Sequence, residues 1–422
     1  MWCSGWPQTA AVSLANLSTS LAIRVRKSYM KKVLIWWIWW RVGLLIVALA
    51  ATGFIGFFFP YPNFEWLIEL GRKIPLVWTW GGFDGIHYLT IAENGYIAQY
   101  TQAFFPVFPQ LIRLAKGFLG VNILESGLIV ANLASLTAVL VFWRLLRLDY
   151  SEALSRRMLW LFLLFPTSFY LVSVYSEGIF LALVFLSFLA ARKGNWLAAG
   201  LIGAVAGATR PVGVFLLPAL LVEYWQQRVQ SSKFPVLAEV KPRAGKVQSL
   251  DANDWINLFL IFLVPLGLGA YMIYLQQHFG DALMFLHSQP AFGADRSDKI
   301  VLLYQVLWRY IKMLMTVQVW SLLYFRVLQE LVSSLVFLIL GIVSFKKVRL
   351  SYAVFAILSF ITPTLTGTFS SMPRYVLVMF PAFIVLGQWF QKHRRLRWAW
   401  WGSSVILLVV DLSLFLTGRW VA

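Results

Sequence analysis

The chain has 422 residues, of which 60% are hydrophobic and only 13% charged, with a formal charge of +19. A water-soluble domain is about half apolar and about a quarter charged, so this composition excludes a single water-soluble core. The apolar residues come in blocks of roughly 18–25, the length that spans the hydrocarbon layer of a bilayer.

The basic residues sit in short clusters between those blocks, the pattern of cytoplasmic loops rather than of a nucleic-acid-binding surface. The 21 Trp fit aromatic belts at the membrane interfaces. Cys3 is the chain's 1 cysteine, which excludes an internal disulfide framework and a Cys-based metal site.

Residues 1–29 carry a weak apolar stretch, whereas Met30-Lys31-Lys32 leads straight into a long apolar block. The reading takes 1–29 as an upstream extension without a folded role and 30–422 as one transmembrane domain. A first span is expected at 34–59, followed by a large extracytoplasmic loop at 60–120. That loop contains an amphipathic stretch, 104–119, suited to the membrane surface. A second span, 121–146, ends near Arg144, Arg147, Arg156 and Arg157, which place the next loop in the cytoplasm. Spans at 158–175 and 177–191 form a hairpin whose outer turn is Tyr175-Ser176-Glu177, and Arg192-Lys193 marks the return.

Residues 196–226 have cations beyond both ends and Pro211 in the middle. Two half-helices meeting at Thr209-Arg210-Pro211 satisfy both facts, and broken helices in a bilayer line cavities or are buried in protein. A basic cytoplasmic loop (227–254) and a span at 255–275 follow. A second large outer loop, 276–316, ends in an amphipathic stretch at 301–316. Further spans are expected at 327–345, 350–368, 375–391 and 398–417. The expected fold is therefore all-α and polytopic, with ten or eleven spans. No internal repeat is visible, which argues against a transporter built from duplicated halves.

Charged residues on the outer side of such a bundle are functional candidates by default. In Phe83-Asp84-Gly85-Ile86-His87-Tyr88, Asp84 reads equally as a sugar-binding carboxylate made more basic by desolvation or as the cap of a short helix. Ala103-Phe104-Phe105-Pro106-Val107-Phe108-Pro109 forms an aromatic-proline ledge suited to interfacial anchoring. Glu177 and Arg210 read as a structural ion pair, or Arg210 as a planar fork of donors for a phosphate. In Ser371-Met372-Pro373-Arg374-Tyr375, Arg374 lies at the outer mouth of a late span, where it either snorkels or binds. Asp281, after Gly280, adds a further acid. His87 and His278 form no metal-ligand spacing, and no nucleophile–His–acid set or phosphate-cradling glycine loop occurs.

Taken in order, these segments resemble the PIG-V family of membrane mannosyltransferases, within the GT-C superfamily. The resemblance runs through Asp84 to Tyr96, the 103–109 ledge, Pro166-Thr167-Ser168-Phe169, Tyr175-Ser176-Glu177, Ala208-Thr209-Arg210-Pro211-Val212-Gly213 and Pro373-Arg374-Tyr375. Phe83 departs from it, standing where a Trp often precedes the acid, and a Trp-Gly-Gly lead-in replaces a polar one.

The resemblance implies a GT-C-type fold whose first outer loop bears the catalytic acid, which maps to Asp84. It implies transfer of a hexose, usually mannose, from a polyprenyl or dolichyl monophosphate sugar to a glycolipid, glycan or protein, without cofactor or metal. Asp84 is then the general base of an inverting displacement, and Arg210 and Arg374 stabilise the departing phosphate. Glu177 orients Arg210 or the acceptor, and His87, Tyr88, Tyr96 and Asp281 join these as expected substrate contacts. The expected location is a prokaryotic cell membrane with the site facing outward. Two rival readings are a lipid-linked substrate flippase and a non-catalytic subunit of a glycosylation complex.

Overall fold

The structure, a computed structural model, describes residues 8–58, 63–229, 251–293 and 296–421, with side chains described from Met30 onward. Lys233, Lys241, Arg243 and Lys246 of the basic loop lie outside the described residues. Among the described residues every regular element is a helix. The first half comprises α1 (Gln8–Phe54), α2 (Phe64–Leu70), α3 (Pro75–Trp78), α4 (Asp84–Asn94), α5 (Val107–Leu119), α6 (Ile123–Leu146), α7 (Glu152–Leu163), α8 (Glu177–Arg192), α9 (Trp196–Gly207) and α10 (Leu216–Val229). The second half comprises α11 (Ala252–Ile261), α12 (Leu266–Phe279), α13 (Met284–His287), α14 (Leu303–Thr316), α15 (Leu322–Lys347), α16 (Leu350–Thr364), α17 (Met372–Tyr375), α18 (Phe380–Lys392) and α19 (Arg394–Leu416). The two expected amphipathic stretches are α5 and α14. Helix α1 already begins at Gln8, inside the segment expected to have no folded role.

The protein is a multi-pass membrane protein. Among the described residues, four stretches, Met30–Phe54 and helices α6, α15 and α19, are long and apolar enough to cross a bilayer, or six if two bent helix pairs each count as one span. The expected ten or eleven spans thus separate into a few full-length helices and several shorter ones. Proline explains much of the shortening, because it removes a backbone donor and clashes with the preceding turn. Helix α7 stops just before Pro166, and α9 stops before the 3-10 turn Pro211–Phe215. The α11–α12 pair bends by 43° next to Pro265. A sharper bend of 81° separates Met372–Val378 from α18.

Charge sorts the two ends of the bundle. At one end Lys32 pairs with Glu152, Arg192 with Asp149 and Glu223, Arg349 with Glu223, and Arg228 with Asp254. Helix α8 runs from that end at Arg192 to the opposite end at Glu177, about 22 Å away at 1.5 Å per residue. Asp84, Arg210 and Arg374 gather with Glu177 at this second end.

Small residues set how closely α9 approaches α11 and α12. A Cβ on Gly200 would lie 2.0 Å from the Leu260 carbonyl oxygen, and one on Gly267 1.7 Å from that of Ala204. Such backbone-to-backbone contact is the packing mode of small-residue membrane helices. Gly200→Val or Gly267→Val is therefore expected to push these helices apart and destabilise the protein by about 1–3 kcal/mol or more. The measurement is the midpoint of denaturant unfolding in detergent. Gly402→Val, where a Cβ meets nothing within 4 Å, serves as the control.

Candidate active site

The site is assembled by clips between segments far apart in sequence. The Val174 N–H donates to the Trp80 carbonyl at 3.0 Å, and Tyr175 Oη donates to that of Gly82 at 3.3 Å. These bonds tie the start of α4 to the start of α8. Thr167 Oγ1 donates to the Pro373 carbonyl at 2.6 Å, fixing the turn that carries Arg374. The Val107 N–H donates to the Ala208 carbonyl at 3.4 Å, seating the aromatic-proline ledge beside Arg210.

Two functional side chains follow residues with strained backbone. Phe83, with φ 56°, precedes Asp84, and Ser371, with φ 67°, opens the turn to Arg374. Side chains other than glycine rarely hold positive φ, and such outliers persist only where packing over-determines them. Phe83 is held by the rings of Phe415 and Trp420, with centroids at 5.6 and 5.2 Å. The turn places Asp84 in the first turn of α4, where the helix dipole favours a carboxylate.

The charged groups alternate. Arg374 Nη1 donates to Asp84 Oδ2 at 2.6 Å, and its Nε lies 3.4 Å from Glu177 Oε1. Arg210 Nη1 donates to the same Glu177 oxygen at 2.7 Å. Arg374 and Glu177 have side-chain exposures of 5% and 3%, whereas Asp84 retains 20% and is the more open of the two carboxylates. Three tyrosine rings, those of Tyr170, Tyr175 and Tyr375, surround the Arg374 guanidinium at 5.2–5.3 Å. Their faces stabilise the buried cation from sides no carboxylate reaches. Glu177 Oε2 is buried without a hydrogen-bond partner, so an acceptor faces a place where a donor is missing.

The four charged groups line one cavity of about 510 Å³, within the range that takes small organic ligands. Asp84, His87, Tyr88, Glu177, Arg210 and Arg374 line it. Tyr88 Oη bonds Ser176 Oγ at 2.9 Å, holding the turn before Glu177. His87 stacks on Phe104 with ring centroids 4.8 Å apart. Burial keeps its imidazole below the ordinary range, with only partial opposition from the charge of Asp84.

Tyr96 and Asp281 are not among the lining residues. Tyr96 donates to the Phe104 carbonyl at 2.7 Å and packs on Tyr271 and Tyr274, supporting the ledge from behind. Asp281 accepts from the Leu283 N–H at 2.9 Å and bonds His287 at 2.7 Å. It closes a turn outside the cavity, and the His287 bond holds its carboxyl below the usual range. Two cavity arginines escaped the sequence reading, Arg296 and Arg326. Arg296 sits in a loop without an apolar pattern, and Arg326 lies one turn inside α15, where it reads as a helix-end cation.

A helical membrane protein with a buried cluster of carboxylates and guanidiniums at one end is the class these features define. Residues 74–283 match the family described as Mannosyltransferase (PIG-V). That segment is similar to the PIG-V mannosyltransferases. GPI alpha-1,6-mannosyltransferase 2 of Mus musculus is 31% identical over 206 residues, 46% of this chain and 40% of that protein. Its Rattus norvegicus counterpart is 29% identical over 243 residues, 54% of this chain and 47% of that protein. The chain spans less than half the length of these curated relatives. Among solved structures, ArnT from Cupriavidus metallidurans bound to undecaprenyl phosphate aligns with a TM-score of 0.45 at 14% identity, covering 83% of this chain and 59% of that one.

Removing Arg374 strands two carboxylates at once. Arg374→Met is expected to cost about 3–5 kcal/mol, because each acid is left in a poorly hydrated site without its cation. Adding Glu177→Gln should recover part of that loss by removing one uncompensated charge. Thermal unfolding of both variants in detergent checks this.

Proposed function

We propose that the protein transfers a hexose, mannose by the names of its relatives, from a polyprenyl or dolichyl monophosphate sugar to a hydroxyl acceptor, with inversion at the anomeric carbon. The observation that carries this reading is the cavity's composition. A partly open carboxylate, Asp84, shares it with Glu177 and with Arg210, Arg296, Arg326 and Arg374. The guanidiniums outnumber the carboxylates by two, which suits a ligand whose phosphate gains negative charge as it departs. The cavity is bounded by helices that include α15, a candidate membrane span, so a lipid-borne donor can reach it from the bilayer.

In the proposed step the acceptor O–H loses its proton to Asp84 as its oxygen attacks the anomeric carbon. The bond from that carbon to the phosphate oxygen breaks, and its electron pair leaves with the lipid phosphate. General-base help of this kind contributes roughly 10²–10⁴-fold. Arg374 positions Asp84, and the unpartnered Glu177 Oε2 receives a hydroxyl of the acceptor or the sugar. With metal-free donor and protein, Asp84→Asn is expected to lower transfer by that factor in a variant that still unfolds cooperatively in detergent, at a somewhat lower melting temperature because Arg374 loses one of its two carboxylates. Transfer at the wild-type rate by a folded variant removes Asp84 as the base.

The reading also places the site on the extracytoplasmic face, in the cell membrane of a prokaryote. The sorting of lysines and arginines between loops supports the orientation. In a Cys3→Ala background, a membrane-impermeant maleimide should label Asn94→Cys in intact cells and Lys193→Cys only after permeabilisation. Both positions are exposed; Asn94 ends α4, which carries Asp84 in its first turn, and Lys193 follows α8 at the end away from Glu177. The reverse labelling order contradicts the orientation.

A further inference from the structure

The arginines of the cavity fall into two sets. Arg210 and Arg374 already face carboxylates, at 2.7 Å and 2.6 Å, so their charge is largely balanced within the protein. Arg296 and Arg326 are different: among the described residues, no carboxylate lies within ion-pair distance of either. Among the described residues, the hydrogen bonds of Arg296 go to neutral oxygens, Ser371 Oγ at 3.4 Å and Gln289 Oε1 at 3.5 Å, both at the long limit of hydrogen bonding. Arg326 Nε is buried and makes no hydrogen bond. Glu330, one turn further along α15, lies near enough to attract both Arg326 and Arg296 electrostatically, but its Oε2 is engaged by Tyr310 Oη at 2.5 Å.

A second orphan stands on the neighbouring helix. Ser359 Oγ of α16 is buried without a partner and lines the same cavity as Arg326. Buried polar groups are nearly always satisfied, so unused donors converging on one cavity wall point to a bound acceptor. Around them the wall is formed by Val212, Thr362, Pro363 and Val378, a mostly apolar surface. A planar guanidinium fork with free donors is well shaped for phosphate oxygens.

We infer that Arg296, Arg326 and Ser359 form the subsite that holds a phosphate group of a lipid headgroup, on the α15–α16 side of the cavity. Arg210 and Arg374 instead hold Glu177 and Asp84 in place. This reassigns the phosphate contact expected of Arg210 and Arg374, and it places the contact beyond residues 74–283, the segment shared with the mannosyltransferase family. The identity of the lipid as the glycosyl donor rests on the proposed transfer reaction; the presence of a phosphate subsite does not.

The test is equilibrium binding of a radiolabelled polyprenyl monophosphate to the purified full chain in nanodiscs of neutral lipid. Arg296→Gln and Arg326→Gln are each expected to weaken binding about tenfold or more, the usual size of a lost charged hydrogen bond. Ser359→Ala should weaken it less, and Arg326→Lys should restore part of the loss. Unlabelled polyprenyl monophosphate should compete at far lower concentration than inorganic phosphate, and neutral polyprenol should compete little. The subsite assignment is overturned if both Gln variants, folded by their melting temperatures, bind like wild type. Equal competition by inorganic phosphate overturns the lipid-headgroup assignment. Because binding needs no turnover, an Asp84→Asn enzyme that still transfers sugar would refute the base while leaving this binding loss unexplained by anything but the subsite.

Discussion

Two carboxylates and two guanidiniums alternate along one wall of the cavity, in the order Asp84, Arg374, Glu177, Arg210. Charges of either sign are expensive to bury alone, and the cost falls only when each finds a partner with good geometry. These four come from separate parts of the chain, and the Asp84–Arg374 bond alone spans 290 positions. The arrangement therefore requires the start of α4, the α7–α8 hairpin, the α9–α10 break and the late α17 turn to meet at one point. Much of the local structure serves that meeting. Backbone clips at Trp80, Gly82, Ala208 and Pro373 hold the four segments together, and each lies within a few residues of a charge.

The same requirement explains where the backbone is strained and where the helices break. Phe83 and Ser371 adopt left-handed φ immediately before Asp84 and in the turn before Arg374. Proline ends α9's run near Arg210 and leaves backbone polar groups that a continuous helix would satisfy internally. Such breaks at membrane depth persist where they border a cavity or packed protein. At the opposite end of α8, Arg192, Asp149, Glu223 and Arg349 form another network of ion pairs. That network reads as a fastening for helix ends.

Much of the bundle was legible in the sequence, and the reasons are physical. Apolar block length reports the bilayer directly, and Pro211 between two cationic flanks reported the α9–α10 break. The amphipathic stretches emerged as α5 and α14 because a 3.6-residue period survives any tertiary context. Span lengths were less legible, since helices such as α7 and α9 end early where proline and buried 3-10 turns take over. In the site, Asp84, Glu177, Arg210 and Arg374 stood out as charges flanking apolar blocks. Arg296 and Arg326 did not, because what sets them apart is that no carboxylate among the described residues lies within ion-pair distance of either, which only three-dimensional placement reveals. Asp281 and Tyr96 show the converse: chemically suitable side chains whose groups are engaged with His287 and the Phe104 carbonyl.

In the proposed reading the cavity presents a carboxylate to an acceptor and guanidiniums to a phosphate and so breaks the bond between sugar and lipid, whereas a flippase would move that lipid intact. The direct measurement uses proteoliposomes carrying a doubly labelled polyprenyl-phosphate mannose, with one label on the sugar and one on the lipid, and a panel of hydroxyl acceptors. Release of free lipid monophosphate together with a mannosylated product of inverted anomeric configuration is the expected result. Translocation of the intact donor without separation of the two labels, or a product of retained configuration, would contradict it.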